Sequence, residues 1–223
     1  SKSWLGRLIH LRELDLNYNQ IDKIDILAFE ALESLISLKM RRNKLNNLDD
    51  GSFWGLSNLQ KINLDHNNIS EIKEGWIYGL ESLKEFSIKH NSIIKIGDNV
   101  WNSLRSLIEI NLNFNRLQHI RLKTFDKLSS LQTLKLSNNN ISYVDDNSFR
   151  SLKNLETLDM SYNKLSWTLE GSSGFFNGLG HLKELRLNNN QIRLIYKHTF
   201  NGLSSLSMLN LTANPLSSIQ KDS

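Results

Sequence analysis

The sequence predicts an α/β-type solenoid, a chain that coils in short steps around one elongated core. Seven leucines recur at intervals of 24 residues, and two more follow after intervals of 27 and 24 residues. These openings are Leu11, Leu35, Leu59, Leu83, Leu107, Leu131, Leu155, Leu182 and Leu206. Each is followed by a short alternation of apolar and polar residues, which is the pattern of a β-strand. The spacing therefore indicates repeats, and the alternation indicates one strand in each repeat.

Each opening begins the pattern L-x-x-L-x-L-x-x-N-x-L, in which Ile, Phe or Met replaces some leucines. This pattern and period are typical of a leucine-rich repeat. A single repeat cannot bury its apolar side, whereas stacked repeats bury a continuous core. We expect one leucine-rich-repeat domain over residues 1–223, a horseshoe with a parallel concave sheet of about nine strands. Its convex returns should be irregular or 3-10, with partial repeats and no cap at either end.

The second repeat shows the expected roles of its residues. Leu35, Leu38 and Met40 should point inward, while Lys39 points outward. An asparagine follows each strand, at Asn19, Asn43, Asn67, Asn91, Asn115, Asn139, Asn163, Asn190 and Asn214. Its side chain offers one acceptor and two donors. A buried turn would otherwise leave backbone groups unpaired at about 1–3 kcal/mol each. We therefore predict a structural ladder of asparagines.

The returns carry a second repeating feature, an aromatic residue at one inward position. It occurs as Phe29, Phe53, Trp101, Phe125, Phe149, Phe176 and Phe200, with Ile77 as an aliphatic exception. We predict that these rings form a column in the core. The return from Ser166 to Phe176 is three residues longer than its counterparts and rich in Gly and Ser. It is either a tolerated surface bulge or a protruding contact element.

Composition and motifs argue against catalysis. The chain has 27 basic and 23 acidic residues, a net charge of +4 and no cysteine. These charges are scattered, so nothing indicates a nucleic-acid partner. The sequence contains no G-x-S-x-G, H-E-x-x-H, P-loop or G-x-G-x-x-G motif, no run of 18 apolar residues and no basic-then-apolar leader. We expect a protein that is not an enzyme and that uses no cofactor or metal ion.

Outward residues of the strands and of the turns after them should line the concave face. Among them we predict a contact stripe for a protein partner, formed by Arg41, Arg42, His66, His90, Phe114 and Tyr162. Aromatic and arginine side chains on a rigid surface are the types enriched at interface hot spots. The alternative is ordinary scatter of single exposed aromatics.

His66 and His90 occupy the same position in successive repeats, with Asp65 and Lys89 beside them. They should therefore be neighbours. Two imidazoles and a carboxylate could hold a metal ion. The sequence does not firmly place a third ligand beside the two histidines, however, and this favours two solvated histidines. Our hypothesis is that protonation of the pair changes partner binding between about pH 7 and pH 5.5.

Three sequons, which begin at Asn68, Asn140 and Asn210, are acceptors for N-glycosylation if the chain is secreted. Such triplets also arise by chance in a chain rich in Asn and Ser. A glycan on Asn210 would block the C-terminal end of the groove.

A family resemblance lies in the last third of the chain. Residues 171–179, residues 190–193 and residues 197–203 resemble successive repeats of the Lrig family, which are cell-surface proteins with leucine-rich repeats and immunoglobulin-like domains. The resemblance implies a receptor-ectodomain fragment that restrains growth-factor receptor tyrosine kinases. The alternative is a ligand-binding ectodomain of the Toll-like or Slit-like kind. Because caps are missing, we expect Leu5, Leu8, Leu209, Leu211 and Leu216 to be partly exposed and the ends to associate.

Overall fold

The computed structural model describes residues 7–166, 174–196 and 198–219. Its chain divides into two compact units, Ser1–Asn111 and Leu112–Ser223, called here the first and second unit. Leu5, and residues 167–173 of the long return, lie outside the described residues. A single domain over residues 1–223 therefore stays a prediction.

The first unit contains one short strand per repeat. These repeat strands are β1 (Glu13–Asp15), β2 (Ser37–Lys39), β3 (Lys61–Asn63), β5 (Glu85–Ser87) and β7 (Glu109–Asn111). They pair in parallel, in the order of the chain, and each residue pairs with the one 24 positions later. The returns contain two shorter paired strands, β4 (Glu71–Ile72) and β6 (Lys95–Ile96), and a 3-10 helix at Gly75–Ile77.

The second unit has the same plan. Its repeat strands are β9 (Thr133–Lys135), β11 (Thr157–Asp159), β12 (Glu184–Arg186) and β14 (Met208–Asn210). Its return strands are β8 (His119–Ile120), β10 (Tyr143–Val144), β13 (Leu194–Ile195) and β15 (Ser218–Ile219). β11 and β12 are 27 residues apart, yet Leu158 pairs with Leu185 in the usual register. The three extra residues therefore fall in the return and leave the repeat strands undisturbed.

The predicted fold class is confirmed, because the two units together contain nine parallel repeat strands within the described residues. Leu35, Leu38 and Met40 are buried, while Lys39 is half-buried, as the alternation predicted. Leucines and isoleucines at the equivalent positions are buried throughout the inner repeats. In the outermost repeats, Leu8 is 40% exposed and Leu209 is 37% exposed. Leu211 and Leu216 are half-buried. Among the described residues, none of the helical segments has the length and hydropathy needed to cross a bilayer.

The predicted asparagine ladder is present. Asn67 shows its geometry: Oδ1 accepts a hydrogen bond from the backbone N–H of Leu45 at 3.0 Å. Its Nδ2 donates to the carbonyl of Met40 in the preceding repeat and to that of Leu64 in its own repeat, both at 3.0 Å. The same three contacts recur at Asn43, Asn91, Asn139, Asn163, Asn190 and Asn214. Each asparagine thus joins two repeats where the chain leaves the strand.

The aromatic column is also present in each unit, with members that the sequence pattern missed. The rings of Phe29 and Phe53 stack with centroids 6.3 Å apart. Where Ile77 interrupts the pattern, the adjacent Trp76 contacts Phe53 and continues the column to Phe86. In the second unit, Phe125 stacks on Phe149 at 6.4 Å, and Phe175 joins Phe149 to Phe176. These additions were missed because the equivalent positions of the neighbouring repeats carry no aromatic residue.

We predict that Asn67→Ala lowers the free energy of unfolding by about 2–4 kcal/mol, because it leaves buried backbone groups unpaired. Asn46→Ala is the control, since Asn46 is exposed in a return, and it should change stability by less than about 0.5 kcal/mol. Urea denaturation followed by circular dichroism measures both values. An equal loss in the two variants would contradict a structural role for the ladder.

Candidate functional site

The outward side chains of each unit form a surface that we call the strand face. It consists of the first and third residues of each repeat strand and the two residues of the turn that follows. The first position was missed in the sequence analysis, although the alternation of a strand implies it. Its members are Glu13, Ser37, Lys61, Glu85 and Glu109 in the first unit and Thr133, Thr157, Glu184 and Met208 in the second. Lys61 and Glu85 form an ion pair of 2.7 Å on this face.

One position of the strand face has an unusual backbone conformation in every repeat. The second turn residue has a φ between 53° and 57° at Tyr18, Arg42, His66, His90, Phe114, Asn138, Tyr162, Asn189 and Ala213. We call this set the left-handed column. Its backbone N–H groups donate to a carbonyl of the next repeat, for example from Arg42 to Asp65 at 2.9 Å and from Tyr162 to Asn188 at 2.9 Å. The positive φ thus lets the hydrogen-bonding between repeats continue past the strand.

The left-handed conformation is costly for most of these residues. It disfavours residues other than Gly, Asn and Asp by about 1–2 kcal/mol. Asn138 and Asn189 suit it, and histidine is more common there than most residues, whereas the tyrosines, arginine and phenylalanine are disfavoured. Bulky side chains therefore stand where the backbone alone would favour Asn or Gly. Five of the six predicted contact residues lie in the left-handed column, namely Arg42, His66, His90, Phe114 and Tyr162.

The aromatic members of the column point toward solvent. Tyr18 is 67% exposed, Tyr162 is 52% exposed and Phe114 is 43% exposed. The outward placement of Phe114 agrees with the register that the sequence predicted. In the first unit, the guanidinium of Arg42 lies 5.6 Å from the ring centroid of Tyr18, within the range of a cation–π contact. The column thus presents planar side chains at its surface.

His66 and His90 lie together in the first unit, as their repeat positions predicted. Their rings stack with centroids 4.2 Å apart and an interplanar angle of 16°. Arg41 is the sixth predicted contact residue, and its Nη2 lies 3.5 Å from Nε2 of His66. Its Nε is buried and has no hydrogen-bond partner within the described residues. Both histidines are half-buried rather than fully solvated.

A buried carboxylate lies beside the histidine pair. Asp65 is only 2% exposed. Its Oδ1 accepts hydrogen bonds from the hydroxyl of Ser87 at 2.6 Å and from the backbone N–H of Lys89 at 2.9 Å. Nζ of Lys89 lies 4.0 Å from Oδ2. The carboxylate therefore links two repeats and is held by donors of its own, so it is not exposed to a partner.

The surroundings of the pair favour neutral imidazoles. Burial of its ring is the main reason that the pKa of His66 lies below its ordinary value of 6.5, and His90, Arg41 and Arg42 add to the effect. Burial also lowers the pKa of His90, with Lys89 as the next cause. The carboxylate of Asp65 opposes these effects in both cases. Cationic neighbours thus outnumber the single anion.

A shallow depression of about 330 Å³ lies on the strand face of the first unit. Its lining includes Arg41 as well as the Lys61–Glu85 ion pair. Both signs of charge therefore occur within one depression.

Within residues 7–166, 174–196 and 198–219, no group of three or more His, Cys, Asp or Glu side chains is placed to hold a metal ion.

The strand face of the second unit is less charged. The hydroxyls of Ser137 and Ser161 hydrogen-bond each other at 3.0 Å, and Ser161 also donates to Asp159 at 2.6 Å. Ser161 precedes Tyr162 in its turn, and the carbonyl of Ser137 accepts a hydrogen bond from the backbone N–H of Phe114 at 2.9 Å. The exposed aromatics therefore stand on a hydrogen-bonded polar background.

The three sequons differ in accessibility. Asn68 is exposed, whereas Asn140 and Asn210 are half-buried. Asn210 lies in β14, and its Oδ1 accepts hydrogen bonds from the N–H and the hydroxyl of Thr212 at 3.0 and 2.9 Å. Asn68 is thus the sequon that a modifying enzyme would reach most easily in the folded protein.

The chain matches a family profile described as Leucine rich repeat over residues 9–69, 57–117, 105–165 and 171–216. A second profile, also described as Leucine Rich Repeat, matches residues 154–177. A search of curated protein sequences gave no match.

Solved structures share the fold. In the crystal structure of a TLR13–ssRNA13 complex, a chain with 32% identity superposes with a TM-score of 0.87, and the match covers 93% of this chain and 30% of that one. For an internalin, InlF, from Listeria monocytogenes, the identity is 25% and the TM-score is 0.73, and the match covers 99% of this chain and 59% of the internalin chain. In the Toll–Spatzle complex of Drosophila, a chain with 19% identity superposes with a TM-score of 0.76, and the match covers 96% of this chain and 32% of that one. The present chain thus spans about a third of the TLR13 chain.

We predict that Tyr162→Asn raises the free energy of unfolding by about 0.5–1 kcal/mol, because asparagine suits a positive φ and tyrosine does not. Tyr162→Val should lower it by about 1 kcal/mol, since a branched Cβ is least tolerated there. Thermal and urea denaturation measure both variants. If both changes destabilise the protein equally, the left-handed column carries no strain.

We also predict that the free protein loses stability as the pH falls. A lowered pKa means that the unfolded chain binds more protons than the folded protein, so stability rises with pH. The contribution of the neutral histidine pair to the free energy of unfolding is therefore complete at pH values above 6.5, the ordinary histidine pKa, and is lost as the pH falls below that value.

Thermal unfolding at about pH 7.5 and about pH 5 checks this effect, with a double variant His66→Asn/His90→Asn that removes both titrating groups. Its melting temperature should fall less between the two pH values than that of the unchanged protein. His10→Asn, which removes an exposed histidine elsewhere, should leave the difference unchanged. A double variant with the full loss of stability would exclude the pair as the cause.

Proposed function

Because the chain belongs to the leucine-rich repeat family, a fold that is generally a protein-interaction scaffold rather than an enzyme, we propose that it is the protein-recognition module of a cell-surface regulator. Its strand face binds a protein partner outside the cell. The predicted contact stripe of Arg41, Arg42, His66, His90, Phe114 and Tyr162 supplies the main contacts.

One observation carries this proposal, namely the bulky side chains of the left-handed column. The φ of about 55° found there suits Asn or Gly. Strained residues persist where the surrounding structure imposes them, and they concentrate at functional sites. Tyrosine and arginine are also the residues that most often dominate binding energy at interfaces. A binding role would account for bulky side chains at this position.

Two kinds of cell-surface protein are candidates for the complete molecule. The similarity to the TLR13 chain, at 32% identity, favours a ligand-binding ectodomain of the Toll-like kind. The resemblance of residues 171–179, 190–193 and 197–203 to Lrig repeats favours a regulator of growth-factor receptor tyrosine kinases. The remaining coding sequence separates them: a cytoplasmic signalling domain supports the first, and immunoglobulin-like domains support the second.

A nucleic-acid ligand is the second candidate function, because the similar TLR13 chain was crystallised with ssRNA13. The charges of the strand face favour a protein instead. Glu85 and Glu109 are the first residues of β5 and β7 and lie on the strand face of the first unit together with its cationic groups. Their carboxylates would repel a phosphate backbone that followed the strand face. In an extracellular location the three sequons would be glycan acceptors, and Asn68 is the most exposed of them, with Asn140 and Asn210 half-buried.

The test uses the chain as a fusion to an antibody Fc region, screened against a panel of secreted proteins and receptor ectodomains. For a partner found in this way, Phe114→Ala and Tyr162→Ala should each weaken binding by about tenfold, which corresponds to about 1.4 kcal/mol. Alanine is acceptable at this φ, since Ala213 occupies the same position. Surface plasmon resonance gives the dissociation constants.

Trp54→Ala is the matched control. Trp54 is a comparably exposed aromatic residue, but it lies in a return and not on the strand face. It should leave the dissociation constant unchanged. Folded Phe114→Ala and Tyr162→Ala variants that bind as tightly as the unchanged protein would remove both residues from the contact stripe.

A further inference from the structure

We propose that Arg41, Arg42, His66 and His90 form a site for acidic side chains of a protein partner, and that this site binds them more tightly as the solution becomes acidic. The inference rests on the proposed function and deepens it, because it names the chemistry that one part of the strand face recognises. All four residues belong to the first unit.

The arrangement of donors is the first argument. His66 and His90 stack at 4.2 Å, so their ring edges present nitrogen atoms side by side. Nη2 of Arg41 lies 3.5 Å from Nε2 of His66, and Nε of Arg41 lacks a hydrogen-bond partner within the part of the chain that the structure describes. Arg42 belongs to the same left-handed column as the two histidines and is exposed. Two guanidinium groups and two imidazoles are therefore collected at one place.

The balance of charge is the second argument. The charged groups that act on the histidine pair are the cations Arg41, Arg42 and Lys89 and the carboxylate of Asp65. Asp65 is buried and already accepts hydrogen bonds from Ser87 and Lys89. With neutral imidazoles, three cations and one anion leave two net positive charges. Protonation of both rings raises this excess to four.

Binding of an acidic group is then coupled to the uptake of protons. In the free protein, burial and the neighbouring cations hold the pKa of both histidines below the ordinary value. A carboxylate placed against the rings counteracts the cations and favours the protonated imidazoles. The complex therefore binds more protons than its separate components, and its affinity increases as the pH falls. The same protons that destabilise the free protein stabilise the complex.

The surroundings favour acidic side chains over a continuous polyanion. Glu85 forms an ion pair with Lys61 in the adjoining depression, and Glu109 is the equivalent residue of the next repeat strand. Negative side chains thus interrupt the positive charge along the strands of the first unit. A site of this size and sign matches one or two carboxylates and opposes a long phosphate chain.

The test measures binding of a fluorescein-labelled tetra-aspartate peptide to the whole chain by fluorescence anisotropy. Aspartate, with a pKa of about 3.9, stays ionised at pH 5. We expect binding about tenfold tighter at about pH 5 than at about pH 7.5, the change given by a rise of one unit in one histidine pKa on binding. A tetra-asparagine peptide should not bind at either pH.

The double variant His66→Asn/His90→Asn tests the residues, since asparagine suits the positive φ and keeps the fold. It should bind tetra-aspartate with the neutral-pH affinity of the unchanged protein at both pH values. His10→Asn should keep the full pH dependence. Histidine side-chain NMR signals should show the pKa of His66 and His90 rising when the peptide is added.

Three outcomes would overturn the inference. These are an absence of tetra-aspartate binding at either pH, a pH dependence that survives in the double variant, and binding of an oligouridylate RNA in preference to the peptide. Because the assay needs no natural partner, its failure is distinguishable from failure of the proposed function. A partner that binds through Phe114 and Tyr162 with an affinity independent of pH would leave the proposed function intact and remove only this site.

Discussion

The hydrogen bonds of the asparagine ladder are the constraint on which the rest of each unit depends. In seven repeats this side chain satisfies a backbone N–H of the preceding repeat and carbonyls of both repeats, as Asn67 does. The chain can therefore leave the strand within the core without unpaired polar groups. Because the bridge is the same in successive repeats, it fixes their register, and the apolar side chains of one repeat then lie against those of the next.

This register also determines the chemistry of the strand face. Once the repeats are aligned, residues 24 positions apart become neighbours, as His66 and His90 do. The turn after each strand must adopt a positive φ for its N–H to reach the next repeat. The fold thus provides a column of positions that point outward and are rigidly held, and the side chains that occupy them are free to vary between repeats. Recognition is thus proposed at positions where the fold fixes the backbone and directs the side chain outward.

The histidine pair shows how such a scaffold adds chemistry to a surface. Asp65 is buried and engaged by donors, so it shields the neighbouring cations only in part. The two histidines are partly buried and have an excess of positive charge around them. Both conditions lower the pKa of His66 and of His90. The same imidazoles on an exposed return would lack these neighbours and would titrate as ordinary histidines.

The sequence by itself determined the repeat, its register, the asparagine ladder, the inward leucines and the adjacency of His66 and His90, because each of these follows from periodicity and from the need to pair buried backbone groups. It missed Trp76, Phe86 and Phe175 in the aromatic column, since the equivalent positions of the neighbouring repeats carry no aromatic residue. Only the tertiary structure revealed the left-handed column, the burial of Asp65 and the position of Arg41 against His66. Backbone angles and side-chain directions at a turn depend on hydrogen bonds to the next repeat, and the pattern of residue types does not encode them.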